Sequence, residues 1–236
     1  VAPAQTETTA FTVKVNDGVA AAVTNNTTTA ISTSVNDVPV IGGATAGQTV
    51  NDTATVALFS AVTIADPDIQ TLSVSVTLDA AAKGVFTPAS LTASGFASAG
   101  SGVYTFSGTA AAAQAAIRQL VFDPADNRVT PSQTETTTLT IEAADSLDAK
   151  ATDATTTVVS TSVNDAPTLG GTAAGQAVND NATVNPFSGV TIGDVDSPAQ
   201  TLAVSVTLDS AAKGVFTAAS LTASGFASAG SGVYTF

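Results

Sequence analysis

An all-β chain of tandem antiparallel β-sandwich repeats is the fold this sequence predicts, and three observations predict it. Ser34-Val35-Asn36-Asp37-Val38-Pro39 returns as Ser162-Val163-Asn164-Asp165-Ala166-Pro167, 128 residues later. Between these marks lie short runs of alternating apolar and polar residues, with turn residues between them. Such alternation is the signature of half-buried strands, and several in a row at short spacing indicate a sandwich. Third, Ala, Thr, Val and Ser dominate, and Thr and Val favour the pleated surface of a strand.

The repeat sets the domain plan. Val1–Val40 aligns without gaps to Val129–Thr168, with 21 of 40 positions identical. Ile41–Asp68 follows at the same shift. Ile69-Gln70 then faces Ser197-Pro198-Ala199-Gln200, a two-residue insertion of the kind that surface loops tolerate. Thr71–Phe106 aligns to Thr201–Phe236 at a shift of 130, with 33 of 36 identical. Residues 1–38 therefore read as the C-terminal part of one repeat, 39–166 as a complete repeat, and 167–236 as the N-terminal part of the next. The expectation is a window onto a longer array with a unit of about 128–130 residues.

Within the complete unit, Gly42-Gly43 and Gly47 mark a loose start. Val50–Asp68 carries Phe59, Val62 and Ile64 at strand-like spacing and ends in Asp66-Pro67-Asp68. Leu72–Leu78 alternates strictly and is the clearest strand. Asp79–Gly84 supplies a turn before Val85-Phe86. Leu91–Gly102, rich in Gly, Ser and Ala, reads as a loop or short edge strand, and Val103–Phe106 as a strand. Thr109–Leu120 is alanine-rich, so it predicts the one short helix of the repeat, docked on the sheet. Asp123-Pro124-Ala125-Asp126-Asn127 is a turn-rich loop. Thr138–Ala143 and Thr155–Val163 are the last strands, joined through the Asp145-Ser146 turn.

Composition excludes whole classes of function. There is no Cys, His, Met or Trp. Disulfides, thiolate metal sites and thiol catalysis are absent, as are the usual general base and the commonest transition-metal ligand. Six basic against nineteen acidic side chains, a formal charge of −13, argue against nucleic acid. No apolar stretch is long enough to span a membrane. Carboxylate oxygens in this number do suit hard cations.

Val50-Asn51-Asp52, followed by Val62 to Asp66-Pro67-Asp68, resembles the first-strand acid and Asp-x-Asp of cadherin repeats. Leu139–Asp145 is similar to their strand ending in Ala-x-Asp, and Val163-Asn164-Asp165-Ala166-Pro167 to their Asn-Asp-x-Ala-Pro linker. The whole chain resembles the cadherin-like and immunoglobulin-like tandem repeats of large secreted bacterial surface adhesins. The Leu-Asp-Arg-Glu motif of that family has no clean match; Asp123–Asn127 stands roughly in its place.

The resemblance implies Ca²⁺ at the joints between repeats. Carried over by residue, the first joint would use Asn36, Asp37, Asp66, Asp68 and Asp145. The second would use Asp52, Asp123, Asp126, Asn164, Asp165, Asp194 and Asp196. Ten of the nineteen acids fall on these positions. Asp and Asn are also common turn formers, since their side chains bond the local backbone, and that plainer role stands beside the metal role. The Asn-x-Thr matches at Asn25, Asn51 and Asn181 read as solvated Thr-rich edges.

The implied function is a structural extender of an extracellular bacterial adhesin or filament, at the cell surface or in a biofilm, its joints stiffened by calcium. Its partners would be neighbouring repeats of the same chain. Two alternatives stand beside it: a repeat that binds glycan or protein, and a subunit that associates with other copies in a fibre. Aromatics are 5% of the chain, which leaves little for a glycan platform. Enzyme function is not expected: the acids recur at every joint, and Ser nucleophiles have no His base.

Overall fold

The computed structural model describes residues 1–68 and 70–236. The pairing of Ile69 with the insertion loop therefore lies outside the described residues. The fold is mostly β with antiparallel sheets, and no sheet closes into a barrel. Two compact units form, Val1–Asp165 and Ala166–Phe236.

The first unit opens with a hairpin of β1 (Thr6–Val15) and β2 (Val23–Thr33). Its main sheet has six strands: β4 (Gln48–Asn51), β12 (Lys150–Thr161), β11 (Thr134–Ala144), β6 (Leu72–Leu78), β9 (Val103–Gly108) and β8 (Ala97–Gly100), in that spatial order. All neighbours are antiparallel except β12 and β4. Two smaller antiparallel pairs are β3 (Val40–Gly42) with β5 (Thr63–Ala65), and β7 (Gly84–Phe86) with β10 (Phe122–Pro124).

The alternation of Leu72–Leu78 is realised in space. Leu72, Val74, Val76 and Leu78 are buried in the core, and β11 answers with Leu139, Ile141 and Ala143. Phe86 is the aromatic hub, with ring centroids 4.8 Å from Tyr104 and 6.0 Å from both Phe59 and Phe122. Edge-to-face pairs of this kind add to the value of the buried area itself.

The helix expected over 109–120 is α2 (Ala110–Ile117). Thr109 caps it by accepting from the Ala112 N–H at 3.2 Å, and Ala113, Ala116 and Ile117 form its buried side. Its C-terminal end is tied to the domain by Arg118, whose Nε donates to the Val62 carbonyl at 2.7 Å.

Two local expectations change. A second helix, α1 (Pro88–Ser94), occupies ground read as loop, so the unit has two helices instead of one. The signals were present: Thr87 caps from outside, Pro88 stands in the first turn, and Gly95 ends the helix at φ 75°. The edge strand follows it, at Ala97–Gly100. Phe59, read at strand-like spacing, sits in a turn between β4 and β5 and is buried there, while Val62 lies just before β5 and Ile64 within it.

The second unit repeats part of this plan. β13 (Thr168–Gly170) pairs β14 (Thr191–Gly193). β15 (Ser205–Thr207), β17 (Val233–Thr235) and β16 (Ala227–Gly230) form a three-stranded sheet, and α3 (Ala218–Ser224) falls between β15 and β16 in the chain. Among the described residues no helix is long and apolar enough to cross a membrane.

Candidate functional site

The acids predicted for the first joint gather at one end of the first unit. Asp66 follows β5 and precedes Pro67. Its Oδ1 accepts from the Asp68 N–H at 2.8 Å, an Asx-type turn. Asp68, 8% exposed, turns its Oδ2 to the Asp37 N–H at 2.7 Å. Asp145, just past β11, takes three donors: Leu147 N–H at 2.8 Å, Ala149 N–H at 3.0 Å, and the Asn36 carboxamide at 2.7 Å. Linker residues Asn36 and Asp37 are thus held by carboxylates from two separate loops.

Burial works against ionising Asp145, but the bonds accepted from Asn36, Ala149 and Leu147 outweigh it and hold its carboxyl below the usual range. Asp17, its counterpart 128 residues earlier, is lowered by the N–H groups of Ala20 and Val19. The Asp at this position is therefore a turn former in both copies, and in the complete unit it also grips the linker.

Asp66 carries the sharpest feature. Its Oδ2 is sealed from solvent and has no hydrogen-bond partner among the described residues. A buried carboxylate oxygen without a donor is costly and rare. Nor does a basic side chain compensate. Among the described residues, ion pairs join Lys83 to Asp79, Arg128 to Glu135, Lys150 to Glu142 and Asp148, and Lys213 to Asp209. None reaches Asp37, Asp66, Asp68 or Asp145.

Two contributors to this end were not foreseen from the sequence. Gln70 Nε2 donates to Asn36 Oδ1 at 2.6 Å, and the Ser146 hydroxyl donates to Gln70 Oε1. Gln70 completes a chain from the β11 turn to the linker. Its signal was available, since Gln200 keeps the same place across the two-residue insertion. Ser146 had none, because its counterpart is Gly18.

Asp52, Asp123, Asp126 and Asp165 form a second acidic region. Asp52, 3% exposed, follows β4 and accepts from Val163 N–H at 2.9 Å and Asn127 N–H at 3.3 Å. Its own N–H donates to the Thr161 carbonyl at 2.9 Å. Asp126 is pushed upward in pKa, first by desolvation and then by the like charges of Asp52, Asp123 and Asp165. Asn164 donates to the Asp165 carbonyl at 2.7 Å.

Asp194 and Asp196 lie in the second unit and repeat the Asp66–Asp68 turn, with Asp196 N–H donating to Asp194 Oδ1 at 3.0 Å. There Gln200 donates to Asp196 Oδ2 at 2.6 Å.

The donor set is entirely oxygen, which matches hard cations such as Ca²⁺. Among the described residues, no three acidic side chains already converge in metal-ligand geometry. The carboxylates of Asp52, Asp68 and Asp145 are instead engaged with backbone or carboxamide donors, and Asp66 Oδ2 is a buried oxygen without a donor among the described residues. No protein-family model, no curated protein and no solved structure matches the chain.

Proposed function

We propose that this chain is a structural segment of an extracellular bacterial adhesin or filament, built from cadherin-like β-sandwich repeats whose joints are stiffened by calcium. The observation that carries this reading is the buried Asp66 Oδ2, without a hydrogen-bond partner among the described residues, beside acids that hold the linker. Asp66, Asp68 and Asp145, with Asn36 and Asp37, would supply oxygens at the first joint. Asp52, Asp123, Asp126, Asn164 and Asp165 would do so at the second, where Asp194 and Asp196 would join them. A cation bound there would supply positive charge and take these oxygens as its ligands.

The residues' own part is positional. Asp145 and Gln70 hold Asn36, and Asp68 holds the Asp37 backbone, so the linker is aimed before any ion arrives. Packed carboxylates repel one another across a few ångströms, and a divalent cation removes that repulsion. The mechanical result would be a joint that is stiffer with cation than without it. Enzyme activity is no part of this reading.

Calorimetry with Ca²⁺, together with small-angle scattering with calcium and with chelator, tests the proposal on the 236-residue chain. Binding heat and a longer maximum dimension in calcium support it, and Asp66→Ala with Asp68→Ala should remove the share of both that the first joint supplies. An absence of heat, with superimposable scattering profiles, would leave the aspartates as turn residues only.

A further inference from the structure

The charges of the complete unit are segregated. Residues 39–166 hold twelve acids and four bases, but none stands between Lys83 and Arg118 or within Leu72–Leu78. In the fold those stretches supply β6, β9 and β8 of the main sheet, with α1 and α2. Half of the six-stranded sheet and both helices therefore carry no Asp, Glu, Lys or Arg, in a chain whose formal charge is −13.

The sheet has two edges, and they differ. β4 runs straight into Asp52, which lies with Asp123 and Asp165 within charge range of Asp126. β8 ends the other side. It is hydrogen-bonded to β9 alone, and Ala97, Ser98, Ala99 and Gly100 are all exposed. All six strands of this sheet come from residues 48–161, so the edge belongs to the complete unit. An unpaired edge turns main-chain N–H and C=O groups outward, and proteins block such edges with Lys, Pro or other charge. β8 has none of these, and its side chains are too small to hold another backbone away. Ala227–Gly230 repeats it residue for residue, pairs β17 in the same register and is likewise exposed.

We infer that β8 is a self-association edge, to which the β8 of a second copy adds antiparallel about a two-fold axis. Symmetry and charge name the occupant. An antiparallel edge is its own complement under a two-fold, so one surface supplies both sides of the contact. Two copies of an acidic chain repel where their charged surfaces meet, and the β8 side is where that repulsion is least. Main-chain hydrogen bonds supply the attraction. The bulge between Ser98 and Gly100 keeps the paired run short, so each contact is weak. Because the same strand recurs in the next repeat, weak contacts add along the chain. The contact needs no cation and stands independently of the calcium reading.

Sedimentation equilibrium of the 236-residue chain in chelator, from about 10 to about 1,000 μM, should show mass rising with concentration. Added salt should strengthen the association, since it screens the acidic surfaces and leaves an uncharged contact unaffected. Ala99→Asp with Ala229→Asp puts a carboxylate on each edge at an exposed position, and should weaken association about tenfold or more. Thr49→Asp with Ala177→Asp adds the same charge at exposed positions on the β4 side and its counterpart, and should weaken it by less than about twofold. Melting curves establish that both variants stay folded. A chain that stays monomeric throughout overturns the inference. So does association that survives Ala99→Asp with Ala229→Asp, that falls equally with the two pairs, or that salt weakens.

Discussion

Asn36 and Asp145 are 109 positions apart in sequence, and the carboxamide of one donates to the carboxylate of the other at 2.7 Å. This bond fastens the segment leading out of the first hairpin to the far end of β11. It makes Asp145 both a turn former and a clamp, and it ties the linker's position to the ionisation of one carboxyl.

Acid should therefore loosen this end. Asp145 ionises more readily folded than unfolded, so its contribution is present above the unfolded carboxylate pKa of about 3.9 and is lost as pH falls through the lower folded value. Asp145→Asn should lower Tm at neutral pH, and the gap from the parent should close as pH falls through the lowered folded value. Thermal melts from neutral pH downward check this; a gap independent of pH would contradict it.

Asp126 carries the opposite sign. Its folded pKa is raised by desolvation and by three neighbouring carboxylates, so its charge opposes folding at neutral pH, and that penalty fades as pH falls through the raised value. Asp126→Asn should raise Tm in chelator at pH 7 by about 1–2 °C, small because the side chain is exposed. The same variant should weaken any calcium heat. Melting curves in chelator, with calorimetry beside them, test both halves.

Phe86 and Phe216 occupy equivalent places in near-identical sequence, but the first is 1% exposed and the second only half-buried. Phe86→Ala should cost about 3–5 kcal/mol, the range for emptying a packed aromatic site. Phe216→Ala should cost less than about 2 kcal/mol, since less area leaves water on folding. Denaturant unfolding of the two variants measures the difference, and equal costs would show that burial does not set it.

Gly84 and Gly214 make a second matched pair. A Cβ at Gly84 would meet the Asp123 carbonyl oxygen and the Phe122 ring at 2.5 Å, because β7 lies against β10. One at Gly214 would meet nothing within 4 Å. Gly84→Ala should lose about 1–3 kcal/mol by overpacking, while Gly214→Ala stays within about 0.5 kcal/mol of the parent. Unfolding midpoints decide it.

Local pattern made the strands of the main sheet readable. Leu72–Leu78 and Thr138–Ala143 alternate because one face of each must be apolar, and a period of two is visible without knowing the partner. The alanine run at 110–116 was readable for the same local reason. The α1 helix is hidden from periodicity, because seven residues carry too little of it, and only its caps announce it. Phe59 misled because a buried turn residue and a strand residue look alike in sequence.

By itself, the sequence determined the repeat, its 128- and 130-residue shifts, the mostly β character and the positions of the acids. All of these depend on neighbours along the chain or on comparison of the chain with itself. Only the tertiary structure decided that Gln70 reaches Asn36 and Ser146 reaches Gln70, that Asp66 Oδ2 has no donor among the described residues, and that Leu139 is covered by the rest of its unit. The physical reason is range. Pairing and burial join residues tens of positions apart, and whether an apolar face meets a partner depends on what the rest of the unit places beside it.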